Sequence, residues 1–245
     1  VILEENVPVA SFHFGWPSKA QSEKLRSAGV FLIGNATSIK EARILEDLGA
    51  DAIIAQGQEA GGHRGTFIDA DMYQVDSMIG VTELTRAIVD AVCVPVIAAG
   101  GLMDGVDVVA VLAAGASAAQ MGTAFLTTLE CAAPPDHKQC LLQKDCVVST
   151  VVTQAFTGKP ARALHNKWIE NMNSIDANLP NCFNGMPGGR VLQGVAVKEK
   201  CTDVMYMWAG QAYSRCRPAM KADELVVAIT AEIETAIARE HTSKL

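Results

Sequence analysis

Val30-Phe-Leu-Ile-Gly-Asn-Ala-Thr-Ser-Ile-Lys-Glu-Ala-Arg-Ile-Leu-Glu-Asp-Leu-Gly-Ala-Asp-Ala-Ile-Ile-Ala-Gln56 holds one full period of a repeating grammar. It opens with a short apolar run, Val30–Gly34, followed by Thr37 or Ser38 as a helix cap. Over 39–48, Ile39, Ala42, Leu45 and Leu48 recur at helical spacing, and Gly49 stops the run. A second apolar run, Ala52–Gln56, begins at once. Strand, helix, glycine, strand is the signature of a βαβ unit. Short, nearly all apolar strands, each followed by an amphipathic helix, mean a parallel sheet covered by helices.

The grammar extends in both directions. Further apolar runs lie at Val7–Phe14, Val94–Ala98 and Ser117–Met121. Ser18 is placed to cap a helix over 19–28, with Leu25 and Ala28 on one face and Gly29 after its end. Val81–Val92 carries Leu84, Ala87, Ile88 and Ala91 on a common face, and Asp104 is placed to cap 105–114 ahead of Gly115. This regular period favours a TIM (β/α)8 barrel over an open doubly wound sheet, and no G-x-G-x-x-G loop follows the first strand. Only five strands can be counted, and the chain opens on Val1 just ahead of a strand. About three N-terminal strands of the barrel are therefore expected upstream.

The grammar changes after residue 130. Residues 1–130 read as five βα units, 131–205 as a smaller, mostly helical covering domain, and 206–245 as a closing segment. Cys131–Asp136 is a breaker, and 138–152 is ambiguous between helix and strand. Phe156–Arg162 reads as a basic turn leading into Leu164–Met172, and Asn178–Gly189 as loop. Lys221–Arg239 reads as a helix whose apolar side carries Leu225, Val226, Ile229, Ile233 and Ile237.

With 20 Lys and Arg against 27 Asp and Glu, the chain has a formal net charge of −7. It carries no long basic run, so it has no electrostatic reason to seek nucleic acid or an anionic membrane. Its apolar runs are too short to cross a bilayer, and no leader-type segment is expected. The seven cysteines form no C-x-x-C pair, and they read as reduced thiols of a cytoplasmic enzyme, Cys93 being placed inside an apolar strand. The five histidines show no metal spacing, so no metal is expected, and His137, His165 and His241 read as surface residues.

In a (β/α) barrel, function sits where the strands end. The third run ends in Gln56-Gly-Gln-Glu-Ala-Gly-Gly-His-Arg-Gly65, where Gly61, Gly62 and Gly65 flank His63. Glycine is costly in backbone entropy, so this density beside an imidazole suggests the close approach of a flat ligand. The next two runs end in Gly100-Gly101 and in Gln120-Met-Gly-Thr123, small residues of the kind that build a phosphate nest from backbone amides. In the first run, period two places Ser11 and His13 opposite Phe12 and Phe14, with His13 near the barrel mouth. Asn35, ending the second run, is placed to bond a ring edge or to serve a turn. A phosphorylated cofactor beside a neutral base points to flavin mononucleotide (FMN) ahead of pyridoxal phosphate, since no visible strand end shows a lysine.

Four segments, Gln56–Gly65, Ser11-Phe-His-Phe-Gly15, Pro95-Val-Ile-Ala-Ala-Gly-Gly101 and Gln120–Phe125, together resemble the nitronate monooxygenase family, formerly 2-nitropropane dioxygenases. Thr157-Gly-Lys-Pro-Ala-Arg162 and Trp208-Ala-Gly-Gln211 resemble its later segments, so that the likeness covers 7 to about 170 and again 204–240. The resemblance implies a TIM barrel with bound FMN. It implies His63 as the catalytic base that takes the α-proton of a nitroalkane, and His13 as a second active-site histidine. Gly61, Gly62, Gly100, Gly101, Gln120, Gly122 and Thr123 would surround the flavin and its phosphate, with Gln56 at the flavin edge. The implied reaction passes nitronate and O2, through a flavin semiquinone, to a carbonyl compound and nitrite. A second copy of the chain, as a homodimer, is an assembly this reading leaves open. The flavin-dependent enoyl-acyl carrier protein reductase has a similar Gly-Gly-His loop and is the alternative; Arg64 after the histidine favours the monooxygenase. A non-catalytic truncated barrel is the third class.

Overall fold

A computed structural model describes residues 1–68, 78–143, 149–174 and 187–243. Its first elements are β1 (Val9–Phe12), α1 (Lys19–Ser27), β2 (Phe31–Ala36), α2 (Ile39–Asp47), β3 (Ala52–Gln56) and β4 (Gly62–His63). They continue with α3 (Val81–Val89), β5 (Val96–Ala99), α4 (Gly105–Ala113) and β6 (Ala118–Gln120). Then come α5 (Pro135–Leu142), β7 (Thr150–Thr153), β8 (Ala161–Leu164), α6 (Lys167–Ser174), α7 (Pro187–Lys198) and α8 (Ala222–Ser243).

Local chemistry sets the helix ends. Ser18 accepts from the Gln21 amide while the Gln21 side chain accepts from the Ser18 amide at 3.0 Å, a reciprocal capping box. Ser38 Oγ accepts from the Glu41 amide at 3.2 Å. At their C-termini α1, α2 and α4 share one device. Gly29, Gly49 and Gly115 take positive φ, and the next amide reaches back to the carbonyl of Leu25, Leu45 or Val111 at 2.9–3.1 Å. This is the Schellman stop, and the left-handed residue it requires is what the three glycines supply.

The chain divides into two units, residues 1–58, 65–100 and 107–120 forming one, and residues 59–64, 101–106 and 121–245 the other. The first holds a five-stranded, all-parallel sheet in the order β1-β2-β3-β5-β6. β3 is buried along its whole length, and α2 and α3 pack against it and its neighbours. Leu45, Ile53, Leu84, Ile88 and Val96 form the centre of that core. Gly34 seats α2 on β2, since a Cβ there would lie 2.8 Å from the Leu45 methyls.

The second unit holds what the sequence patterning did not show, a three-stranded antiparallel sheet in the order β4-β8-β7. The stretch read as a basic turn over 156–162 therefore ends in a strand. His63 itself lies in a strand, with Gly62 opposite Arg162 and His63 opposite Ala161. One core here gathers Leu141, Leu164, Met205, Met207 and Tyr213, and another gathers Ala155, Ala163 and Ile169 against Phe156, Trp168 and Trp208.

Three further expectations change. The loop expected to Gly189 is helix from Pro187 onward, because Val191, Val195 and their neighbours continue a helical run; residues 178–186 of that reading lie outside the described residues. In α8, Leu225 and Ile229 are buried, but Val226 and Ile237 are exposed, so the covered stripe is narrower than read. Cys93 is exposed in the turn before β5, its amide donating to Glu46 Oε1 at 2.6 Å, and is not a strand residue. No helix among the described residues is long and apolar enough to cross a membrane.

Candidate active site around His63

His63 is held from three directions within its own unit. Pairing of β4 with β8 sets its backbone, and the Arg64 amide extends the pairing by donating to the Pro160 carbonyl at 2.8 Å. Its Nε2 lies 2.8 Å from Thr157 Oγ1, in the hairpin loop between β7 and β8. Its ring lies 5.2 Å from that of Trp208, tilted by 50°. Trp208 in turn meets Phe156 edge-on at 5.5 Å, and Phe156 meets Tyr206 at 4.6 Å. The imidazole therefore sits beside an aromatic wall, half-buried, in a set orientation.

Loops from distant parts of the chain meet next to it. The Gly210 amide donates to Thr123 Oγ1 at 2.9 Å, and the Gln211 amide to the Glu59 carbonyl at 3.0 Å. A Cβ on Gly61 would lie 2.5 Å from the backbone of Ala209 and Gly210, and one on Gly101 would lie 2.8 Å from Glu59 Cβ. These glycines are small because neighbouring chain passes there. Gly62 differs: it has φ +74° and open space where a side chain would project. Gly122 also faces open space. Thr123 Oγ1, already accepting from Gly210, keeps its own hydrogen to donate.

The remaining predicted residues belong to the parallel-sheet unit. Gln56 is buried at the end of β3, its Oε1 accepting from the Gly65 amide at 2.8 Å and from Asn35 Nδ2 at 3.4 Å. Gly65 is the third glycine of the His63 loop, and a Cβ on it would collide with Asn35 and with the His13 carbonyl, so it too is small for packing. His13 follows β1, half-buried, its ring 4.7 Å from Phe14 and nearly perpendicular to it. Gly100 has φ +121°, and Gln120 is exposed at the end of β6.

Several contributors carried no sequence signal of their own. Thr157 and Trp208 were legible only as parts of family-like segments. Glu41 is 1% exposed, and its carboxylate accepts from the Thr37 amide and hydroxyl, the Thr66 hydroxyl and the Phe67 amide, all at 2.6–2.8 Å. It thereby ties the segment after Gly65 to the start of α2. Arg162 is buried, which lowers its pKa, an effect that the charge of Glu59 opposes. His137, read as a surface residue, is 4% exposed. Burial lowers its pKa to about 4, against a hydrogen bond to the Trp208 backbone that acts the other way. Among the described residues no group of His, Cys, Asp and Glu is placed to hold a metal.

The nitronate monooxygenase family model matches residues 1–232. A probable nitronate monooxygenase of Staphylococcus saprophyticus is 41% identical over 212 residues, 86% of this chain and 59% of that protein. One from Staphylococcus aureus is 40% identical over 216 residues, with the same coverage. The chain thus spans about three-fifths of the length of these curated relatives. Among solved structures, nitroalkane oxidase from Streptomyces ansochromogenes superposes with a TM-score of 0.89 at 40% identity, covering 97% of this chain and 67% of that one. FabK from Thermotoga maritima superposes at 0.78 and 27% identity, covering 99% and 73%.

Proposed function

The chain belongs to the nitronate monooxygenase family, and from that premise we propose that it oxidises alkyl nitronates with O2 to carbonyl compounds and nitrite. Neutral nitroalkanes enter the same route once His63 has taken their α-proton. The observation that carries this reading is the fixed imidazole of His63, bonded to Thr157 and lying 5.2 Å from the tilted ring of Trp208.

FMN is the proposed cofactor, and the residues present fit it. Gly122, with open space beside it, and the Thr123 hydroxyl, which keeps a hydrogen to donate, are suited to its phosphate, and Gly100, Gly101 and Gln120 are assigned to the same part. Gly61 and Gly62 are assigned to the ring's surroundings and Gln56 to its edge. When bound, FMN supplies the electron transfer between nitronate and oxygen. The protein's own part is acid–base and positional. His63 accepts the proton as the α C–H bond breaks, and the electron pair moves into a C=N bond while the nitro oxygens take the charge. The Trp208 ring, 5.2 Å away, favours the imidazolium that results. His13 is proposed to sit beside the substrate. The five parallel strands are proposed to be part of a (β/α)8 barrel.

An already ionised nitronate has no proton to lose. His63→Asn is therefore expected to lower turnover of the neutral nitroalkane by about 10²–10⁴-fold and to spare nitronate more. Equal loss on both substrates would remove the base role. A visible spectrum of the protein should show flavin bands, and a protein that cannot take up FMN would refute the cofactor. The FabK likeness raises a reductase as second reading. Rapid bleaching of the flavin by NADH or NADPH would favour it.

A further inference from the structure

We propose that His137 is a positioning residue for the base: from α5 it holds the Trp208 carbonyl, and so keeps the Trp208 ring against His63. Gln193 of α7 is the second tie on the same edge of chain. The inference rests on the base role proposed above and names what sets the surroundings of that base.

Residues 205–209 run antiparallel beside β8, with Trp208 opposite Ala163. Two backbone bonds flank this pair. The Leu164 amide donates to the Met207 carbonyl at 2.8 Å, and the Ala209 amide to the Arg162 carbonyl at 3.3 Å. In an antiparallel ladder, the residue between two such bonds turns its own N–H and C=O away from the partner strand. The backbone groups of Tyr206 and Trp208 therefore face the outer edge, where β8 does not reach them. Side chains alternate across a strand, so Trp208 shares a face with Ala163 and Ala161. His63, opposite Ala161, lies on that face too. This is how the two rings come to lie 5.2 Å apart, and the place of the Trp208 ring follows the place of its strand.

Two helices hold the outer edge. The Tyr206 amide donates to Gln193 Oε1 at 2.7 Å. The Trp208 backbone is bonded to His137, which is buried. That bond favours the protonated ring, so the imidazole is the donor and the Trp208 carbonyl the acceptor. Nε2 of His137 has no hydrogen-bond partner among the described residues, so the bond is made by Nδ1. His137 is held independently of this bond. Its neighbour Lys138 donates from Nζ to the Thr128 carbonyl at 2.6 Å, and Cys140 and Leu141 of the same helix enter the core with Met205 and Met207. A supporting residue fixed by its own packing is what a positioning role needs.

The test reads the Trp208 ring from its neighbour. An aromatic ring at 5.2 Å shifts the carbon-bound imidazole protons of His63 in the NMR spectrum, and those signals are assigned by their absence in His63→Asn. His137→Leu should move them toward the positions they take in Trp208→Leu. It should also lower kcat for a neutral nitroalkane about tenfold while nitronate turnover is kept. His137→Asn, whose side-chain amide can donate from near the Nδ1 position, should restore both. Gln193→Leu, at a half-buried site, should move the same signals in the same direction but less, and it carries the test if His137→Leu does not fold. Unmoved His63 signals in the folded variants, an equal loss on both substrates, or no recovery in His137→Asn would overturn the proposal. If the unaltered protein turned over neither substrate, the functional reading would fall, while the His63 signals would still decide whether His137 places the Trp208 ring.

Discussion

In the parallel-sheet unit, Gly29, Gly49 and Gly115 end three helices by the same local device, each set by its own few neighbours. Around His63, glycines do something different. Gly61, Gly101 and Gly210 are small because chain from residues 59–61 and 209–210 passes within van der Waals reach. The first kind of glycine is a property of a segment, and the second is a property of an assembled neighbourhood. The difference teaches that a glycine-rich loop beside a histidine need not be loose, since here most of its glycines are packing requirements and only Gly62 combines a positive φ with open space.

The comparison predicts where each unit is most sensitive. The largest effect is expected at Glu41, a long-range polar tie in the sheet unit that resembles the other unit's manner of construction. Glu41→Ala leaves two amides and two hydroxyls without their acceptor at a buried carboxylate site and should cost about 3–5 kcal/mol in urea denaturation. A loss under about 1 kcal/mol would show that solvent replaces the carboxylate and that the tie is dispensable.

Next is His137. Its ordinary pKa of 6.5 falls to about 4 on folding, chiefly through burial, so between these values the unfolded chain binds the extra proton. Stability should therefore decline as pH falls from 6.5 to 4 and then lose no more from this group, a total of about 3 kcal/mol. His137→Gln should flatten that part of the acid profile relative to the unaltered protein. Parallel profiles for the two proteins would mean the imidazole is solvated.

Gly61→Ala brings a methyl against the Ala209–Gly210 backbone and should destabilise the protein by about 1–3 kcal/mol. A neutral result would show that this neighbourhood gives way, which would sharpen the contrast with the sheet unit in the opposite direction. The smallest effect belongs to a local device. Ser38→Ala removes the cap on α2 and should cost about 1 kcal/mol, read by thermal melting.

Much of the sheet unit was legible because its signals repeat over short distances. Apolar runs, Ser18 and Ser38 as caps, and glycines as stops all act within one turn of helix. The boundaries of β3 and the start of α2 follow directly from Ala52–Gln56 and Ser38. Cys93 shows the limit: its apolar neighbours suggested a strand, but strand pairing begins only at Val96. In the second unit, β8 was hidden because Ala161–Leu164 carries the charged Arg162 in a buried position, where Glu59, remote in sequence, lends it a compensating charge. His137 was misread for the same kind of reason. A histidine among polar neighbours in α5 looks exposed until the chain near Trp208 covers it.

By itself the sequence determined the βα order and the helix ends, and it pointed to the glycine-flanked His63 as a candidate, since periodicity, capping and turn chemistry are encoded between residues a few positions apart. Only the tertiary structure decided that His63 lies in a strand, that Thr157 and Trp208 are its neighbours, and which glycines are small for packing. Those facts depend on contacts among residues 63, 157 and 208, and no local pattern specifies which distant side chain will arrive within 3 Å.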